Sequence, residues 1–159
     1  MEYKDLSAYR FQSDDGNIIL NIGWLNDNSF QKGNVHIEVK RKLEKLIRGE
    51  FNNINIIAFV TRGLNLCPLC KRTPSDPWGK PIILGDINLS HVEILIPSTI
   101  DKNCFYISPS LIYHYIDVHQ YYPPEDFLNS ILQFPEDTEY DAQVIVGDEP
   151  TFLRAINSD

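Results

Sequence analysis

Cys67 and Cys70 stand in the run Arg62-Gly63-Leu64-Asn65-Leu66-Cys67-Pro68-Leu69-Cys70, and far downstream His114 and His119 flank Tyr115-Ile116-Asp117-Val118. Two thiols and two imidazoles at these spacings make up the donor set of a tetrahedral zinc ion. The expected cofactor is a structural zinc with Cys67, Cys70, His114 and His119 as its ligands, because four protein donors leave no open position for water. The 43 residues between Cys70 and His114 exceed the roughly 12–15 of a nucleic-acid-reading finger. They suit a cysteine knuckle, several strands and a helix that closes the site.

The cysteine pair has other meanings on its own. In a thioredoxin-like site the first cysteine caps a helix that lowers its pKa, but here Cys70 leads into Lys71-Arg72-Thr73-Pro74 and then Pro77, a poor helix start. Three cysteines are an odd and sparse count for a disulfide framework. Two inert thiols packed as small hydrophobes, beside two hydrogen-bonded histidines, form the competing reading. Were one of the four not a ligand, a catalytic site would open, with Glu93 or Asp117 as candidate base. Cys104 and His91 are then the substitute ligands, although a buried strand thiol and an exposed strand histidine are their commoner roles.

The histidines must be positioned by a helix over residues 110–119. On it Ile112, Ile116 and His119 share one face, and Leu111, His114, Tyr115 and Val118 an adjoining one, so both imidazoles lie on a largely apolar, buried element. A buried imidazole needs partners for its ring nitrogens. Five residues span about 140° around an ideal helix. Both rings can therefore converge only if His119 sits in a loosened last turn, which the following Gln120-Tyr121-Tyr122-Pro123-Pro124 permits.

Other elements follow from periodicity. Residues 18–22 read as a strand, after the turn cluster Asp14-Asp15-Gly16-Asn17. Val35, Val39, Leu43, Leu46 and Ile47 share a helical face that Gly49 ends, with Lys40, Arg41, Lys42, Lys45 and Arg48 opposite. Residues 54–60 read as one buried strand, residues 71–79 as a loop, and residues 81–84, 91–96 and 104–107 as short strands. The second of these alternates Val92, Ile94, Ile96 with His91, Glu93, Leu95, as a strand covered on one side does. Pro109 is expected in the first turn of the histidine helix. A further helix begins at Pro123-Pro124-Glu125 and ends at Pro135, and Gln143-Val144-Ile145-Val146 reads as a strand. The expected fold is a single α+β domain with a small, mostly antiparallel sheet, about three helices and a zinc-knuckle-like Cys/His site. Residues 1–134 form that zinc-stabilised domain and residues 135–159 an acidic C-terminal extension.

The chain has 159 residues, 43% hydrophobic and 23% charged, ordinary values for a globular domain. Its longest apolar run is far too short to span a membrane, and no basic segment leads into an apolar run at the start, so a cytoplasmic location is expected. The net charge of −8 is uneven: residues 135–159 hold seven acids against Arg154 alone, leaving 15 acids and 13 bases in residues 1–134. Such a chain gains no counterion-release affinity for DNA, so nucleic acid is an unlikely partner. Acidity suits a protein partner with a basic surface, or simply keeps the chain soluble.

Four segments resemble a family of small, uncharacterised bacterial proteins: Asn21-Ile22-Gly23-Trp24-Leu25; Arg62-Gly63 with Cys67-Pro68-Leu69-Cys70; Pro109-Ser110-Leu111-Ile112-Tyr113-His114-Tyr115; and His119-Gln120-Tyr121-Tyr122-Pro123-Pro124-Glu125-Asp126-Phe127. The similarity covers roughly residues 1–134, and the last motif is the most specific. Many relatives carry a histidine two positions before the first cysteine; here that position is Asn65. The resemblance implies a bacterial origin and supplies no activity.

Small size, acidity, a closed metal set and the lack of a nucleophile constellation or phosphate loop point to a non-enzymatic, zinc-stabilised binding protein. The expected role is that of an immunity or antitoxin-like protein neutralising a basic toxin. The alternative is a zinc-dependent hydrolase or nuclease, toward which Ser90-His91-Val92 at a strand start gives a faint hint. A nucleic-acid binder using the basic helix face is opposed by the charge balance.

Overall fold

The computed structural model describes residues 1–10, 16–61, 63, 65–77 and 79–147. Asp14 and Asp15 of the expected turn cluster and the last twelve residues of the acidic extension lie outside them. In chain order the elements are β1 (Ile18–Asn21), α1 (Ile37–Arg48), β2 (Ile54–Asn55), β3 (Ile57–Val60), β4 (Ile83–Leu84), β5 (Ile87–Asn88), β6 (Val92–Pro97), β7 (Cys104–Pro109), α2 (Ile112–His119), α3 (Glu125–Leu132), β8 (Tyr140–Asp141) and α4 (Ala142–Val146). The fold is α+β, as the alternation of helical and strand periods predicts.

The central sheet runs β1-β7-β6-β3. Strands β6 and β7 pair antiparallel, as do β3 and β6, whereas β1 lies parallel to β7 with Ile18 opposite Cys104. Two-stranded pairs β2–β8 and β4–β5 complete the set. Every residue of β7 is buried, because it is central and both faces of the sheet are covered. Ile94, Ile96 and Tyr106 face one core, shared with α1, α2 and α3. Leu95, Phe105 and Ile107 face a second, closed by Ala142 and Val146 of α4.

Helix α1 forms where the apolar period places it. His36 caps its start, Nδ1 accepting from Glu38 N at 3.1 Å. Gly49 ends it in the left-handed region (φ +70°), its N–H reaching the Leu46 carbonyl while Glu50 N reaches Lys45. That is a Schellman pattern, and glycine adopts it without a Cβ penalty. The basic face is largely engaged within the chain. Lys40 pairs with Asp117 at 2.7 Å, Arg41 with Glu38 at 3.6 Å, and Arg48 with both Glu44 and Asp86 at 3.1 Å. Lys42 Nζ donates to the carbonyls of Leu132 and Phe134 at the end of α3.

Several local expectations are corrected. Residues 54–60 are two strands, with Ile56 between them and an irregular register from Ile57 to Phe59. Of residues 81–84 only Ile83 and Leu84 pair, in a small hairpin. Pro109 ends β7 opposite Glu93 rather than opening α2; at a strand end its missing N–H breaks no ladder. Gln143–Val146 is helical. Asp141 caps α4 by accepting from Gln143 N at 3.0 Å, and Ala142 and Val146, four apart, both bury while Val144 is 71% exposed. Tertiary packing and a cap override the β propensity of the branched run. With α4 in place, β6 is not one-sided, and Leu95 is fully buried.

The N-terminal segment is locked beside α2. Asp5 accepts from Gly23 N (2.9 Å) and from the Tyr121 hydroxyl (2.6 Å), joining it to the residue two beyond His119. Gly23 has φ +75°, and a Cβ there would lie 2.9 Å from Ile112 Cδ1. Only glycine lets this turn approach the start of α2 so closely. No helix among the described residues is long and apolar enough to cross a membrane.

Candidate metal centre

The cysteines lie in a turn that leaves β3 and is tied to the residues preceding β6. Thr61 donates to the His91 carbonyl through both N (2.6 Å) and Oγ1 (2.9 Å), and Asn65 N donates to Ser90 O at 2.8 Å. Ser90 Oγ accepts from Ile82 N at 3.2 Å, and Ser110 Oγ donates to Leu89 O at 2.6 Å. These bonds fix the approach to Cys67 relative to the start of α2. Ser90 and Ser110 are fully buried, so losing either bond would strand a polar group. Within the turn, the backbone N–H groups of Leu69 and Cys70 hydrogen-bond the Cys67 sulfur. The two-residue spacing creates this arrangement, and it favours the thiolate.

Helix α2 presents the histidines from the other side. His114 lies in the first turn of the helix and is buried, whereas His119 is the last helical residue. Gln120 then leaves the helix in the left-handed region (φ +59°). This terminal position resolves the 140° separation: no following turn crowds the His119 ring. The two imidazoles lie with centroids 5.0 Å apart.

The four donor atoms lie within 4.8 Å of one another and could hold a metal ion. Cys67 Sγ is 3.4 Å from His119 Nε2, and Cys70 Sγ is 3.3 Å from His114 Nε2 and 3.5 Å from His119 Nε2. Zinc–sulfur and zinc–nitrogen bonds of about 2.3 and 2.0–2.1 Å at a tetrahedral angle put sulfur and nitrogen about 3.5 Å apart. The observed edges match. Thiol–imidazole hydrogen bonds alone explain the set less well, since His119 Nε2 is nearly equidistant from two sulfurs. One neutral ring nitrogen carries either a single hydrogen or a single lone pair.

Electrostatics keep the two imidazoles neutral at the centre. Burial lowers the pKa of His114, aided by neighbouring His119, and burial followed by Lys32 lowers that of His119. Both rings are therefore held in the neutral, ligating form. Burial pushes the Cys67 thiol up to about 11 against the pull of its two backbone donors. A bound cation supplies the charge that would reverse this, since metal ligation deprotonates a thiol outright.

The other candidates lie elsewhere. Glu93 is on β6 with its side chain on the opposite face of the sheet, beside Tyr9. Asp117 pairs with Lys40. His91 contributes its carbonyl to Thr61, Cys104 opens β7 in the core, and neither joins the four-donor group. Sequence reading overlooked the serine clamps and the Asp5–Tyr121 bond. Serines inside the run Ser108-Pro109-Ser110, between a strand and a helix, were the available signal for the former. For the latter there was none, because the partners are 116 positions apart.

Residues 1–132 match the family model described as Domain of unknown function (DUF7919). No curated protein and no solved structure matches the chain.

Proposed function

The chain belongs to the DUF7919 family, and we propose that it is a non-enzymatic, zinc-stabilised protein-binding domain. In this reading it is a bacterial, cytoplasmic protein of the immunity or antitoxin kind, which neutralises a toxin partner presenting a basic surface. The observation that carries the reading is the four-donor set: two sulfurs and two nitrogens within 4.8 Å of one another, three of their sulfur–nitrogen edges at 3.3–3.5 Å, would leave a tetrahedral ion no coordination position for water or substrate. Zinc is favoured among metals by the mixed thiolate and imidazole donors. Glu93 lies on the opposite face of the sheet and Asp117 is held by Lys40 at 2.7 Å, which weighs against a hydrolase or nuclease. A net charge of −8 supplies the field that draws a basic partner.

Metal analysis by mass spectrometry on protein purified without a metal-affinity column tests the first half. One zinc per chain is expected, lost in Cys67→Ser and His114→Ala. Metal-free native protein would refute the site, and chelator-sensitive turnover of nucleic acids or esters would refute the non-enzymatic assignment. Pull-down from the native host tests the second half: salt-sensitive capture of a basic protein is expected, and no captured partner would count against it.

A further inference from the structure

Between the N-terminal segment and the cysteine turn lies a cleft of about 240 Å³. Trp24, Leu66, Pro68 and Leu111 give it apolar walls, and Glu2, Asn26, Asn65 and Tyr115 bring polar groups to it. An apolar cleft with a few convergent polar groups is the general form of a recognition pocket. Among the described residues, none of these four polar side chains has a hydrogen bond or ion pair with another residue. Tyr115 is only 3% exposed, and among the described residues its hydroxyl has no hydrogen-bond partner.

We propose that this cleft receives an arginine side chain from the protein partner. The inference rests on the protein-binding reading above and names the contact that would carry it. The Glu2 carboxylate supplies the countercharge. Asn26, Asn65 and Tyr115, which line the cleft, each carry a side-chain acceptor. Acceptors spread in this way suit a planar guanidinium with five N–H donors, whereas an ammonium offers three from a point. The aromatic rings of Trp24 and Tyr115 favour a cation over a neutral group. Trp24 is held in place by its Nε1 bond to Ile107 O at 3.3 Å and an edge contact with Tyr3, so the wall is formed in advance and little ordering is required. The volume fits one side chain, not a peptide strand. Asn65, Leu66 and Pro68 flank Cys67, so the metal would hold this wall in position.

The test is an NMR titration of the full-length, metal-loaded chain with N-acetyl-arginine amide, using the isosteric, neutral citrulline analogue as control. Saturable shifts of the Trp24 indole and of the Asn26 and Asn65 side-chain amides are expected, with arginine bound about tenfold more tightly than citrulline. Glu2→Gln, at an exposed position that leaves the core intact, should remove most of that preference, and Tyr115→Phe a smaller part. Equal affinity for the two analogues, or no saturable shift at these residues, would overturn the proposal. Salt-sensitive capture of a basic partner that is unchanged in Glu2→Gln and Tyr115→Phe would also overturn it while leaving the protein-binding reading intact. Arginine bound in the cleft of a chain that captures no partner would support the pocket and sink that broader reading.

Discussion

On one face of the four-stranded sheet, Ile94, Ile96 and Tyr106 pack against three helices and the cysteine turn; on the other, Leu95, Phe105 and Ile107 meet a five-residue helix and Tyr9. The first face is fastened by directional contacts. Its four-donor group joins the turn to α2, Asp126 accepts from Ser98, Thr99 and Tyr106, and Asp5 accepts from Tyr121. The second relies on apolar burial, with the Tyr140 hydroxyl on the Leu95 carbonyl at 2.8 Å and one half-buried acid, Glu93. The difference separates two sources of stability. Directional contacts between side-chain donors and charge-assisted hydrogen bonds fix long connections in place, and short-range packing closes the remaining surface.

Removing the metal should break the comparison most severely. Chelation, or Cys67→Ser, is expected to lower unfolding free energy by several kcal/mol, up to about 10. Urea denaturation with and without chelator measures it. A midpoint unmoved by chelator would mean that packing alone holds both faces.

The second face has its own pH signature. Burial raises the Glu93 carboxyl from its ordinary 4.5 to about 7, outweighing the Tyr9 hydroxyl and the Arg10 charge that pull it down. The folded state therefore binds more protons than the unfolded one between these values, and stability falls as pH rises through that window. The contribution is fully present below pH 4.5 and lost by the time pH has passed about 7, a change of about 3 kcal/mol at most. Glu93→Gln should flatten this slope in denaturation measured from pH 4.5 to 8, with bound metal unchanged. An identical slope in the variant would show that the acid does not titrate on folding.

Val146→Ala should have the smallest effect. It removes two methyl groups from the contact of α4 with the sheet, for an expected loss of about 1–2 kcal/mol by thermal or urea unfolding. Metal content should not change. Loss of metal in this variant would show that the faces are coupled, contrary to the separation drawn here.

The four-donor group was legible because its chemistry is local in type: thiols separated by two residues and imidazoles on one helix carry the spacing rule in the sequence itself. Helix α1 was legible for a similar reason, since Val39, Leu43, Leu46 and Ile47 repeat with the helical period and Gly49 marks the stop. What escaped depends on distant partners. Gln143–Val146 has strand propensity, and only the Asp141 cap and a sheet face awaiting cover make it helical. The alternation in β6 marked one buried side and gave no sign that Leu95 would find a second core. The cleft beside the turn joins Glu2, Asn65 and Tyr115 from three separate stretches, and no periodicity connects them.

The parallel pairing of Ile18 with Cys104 has a consequence for the order of assembly. In the four-stranded sheet β1 pairs with β7 on one edge, while its other edge bonds the nearby segment around Ser7 and Ala8, so only the local edge can be covered until residues 104–109 have been made. Closing so distant a contact is slow, and a metal bound between the turn and α2 would shorten the effective loop that remains to be searched.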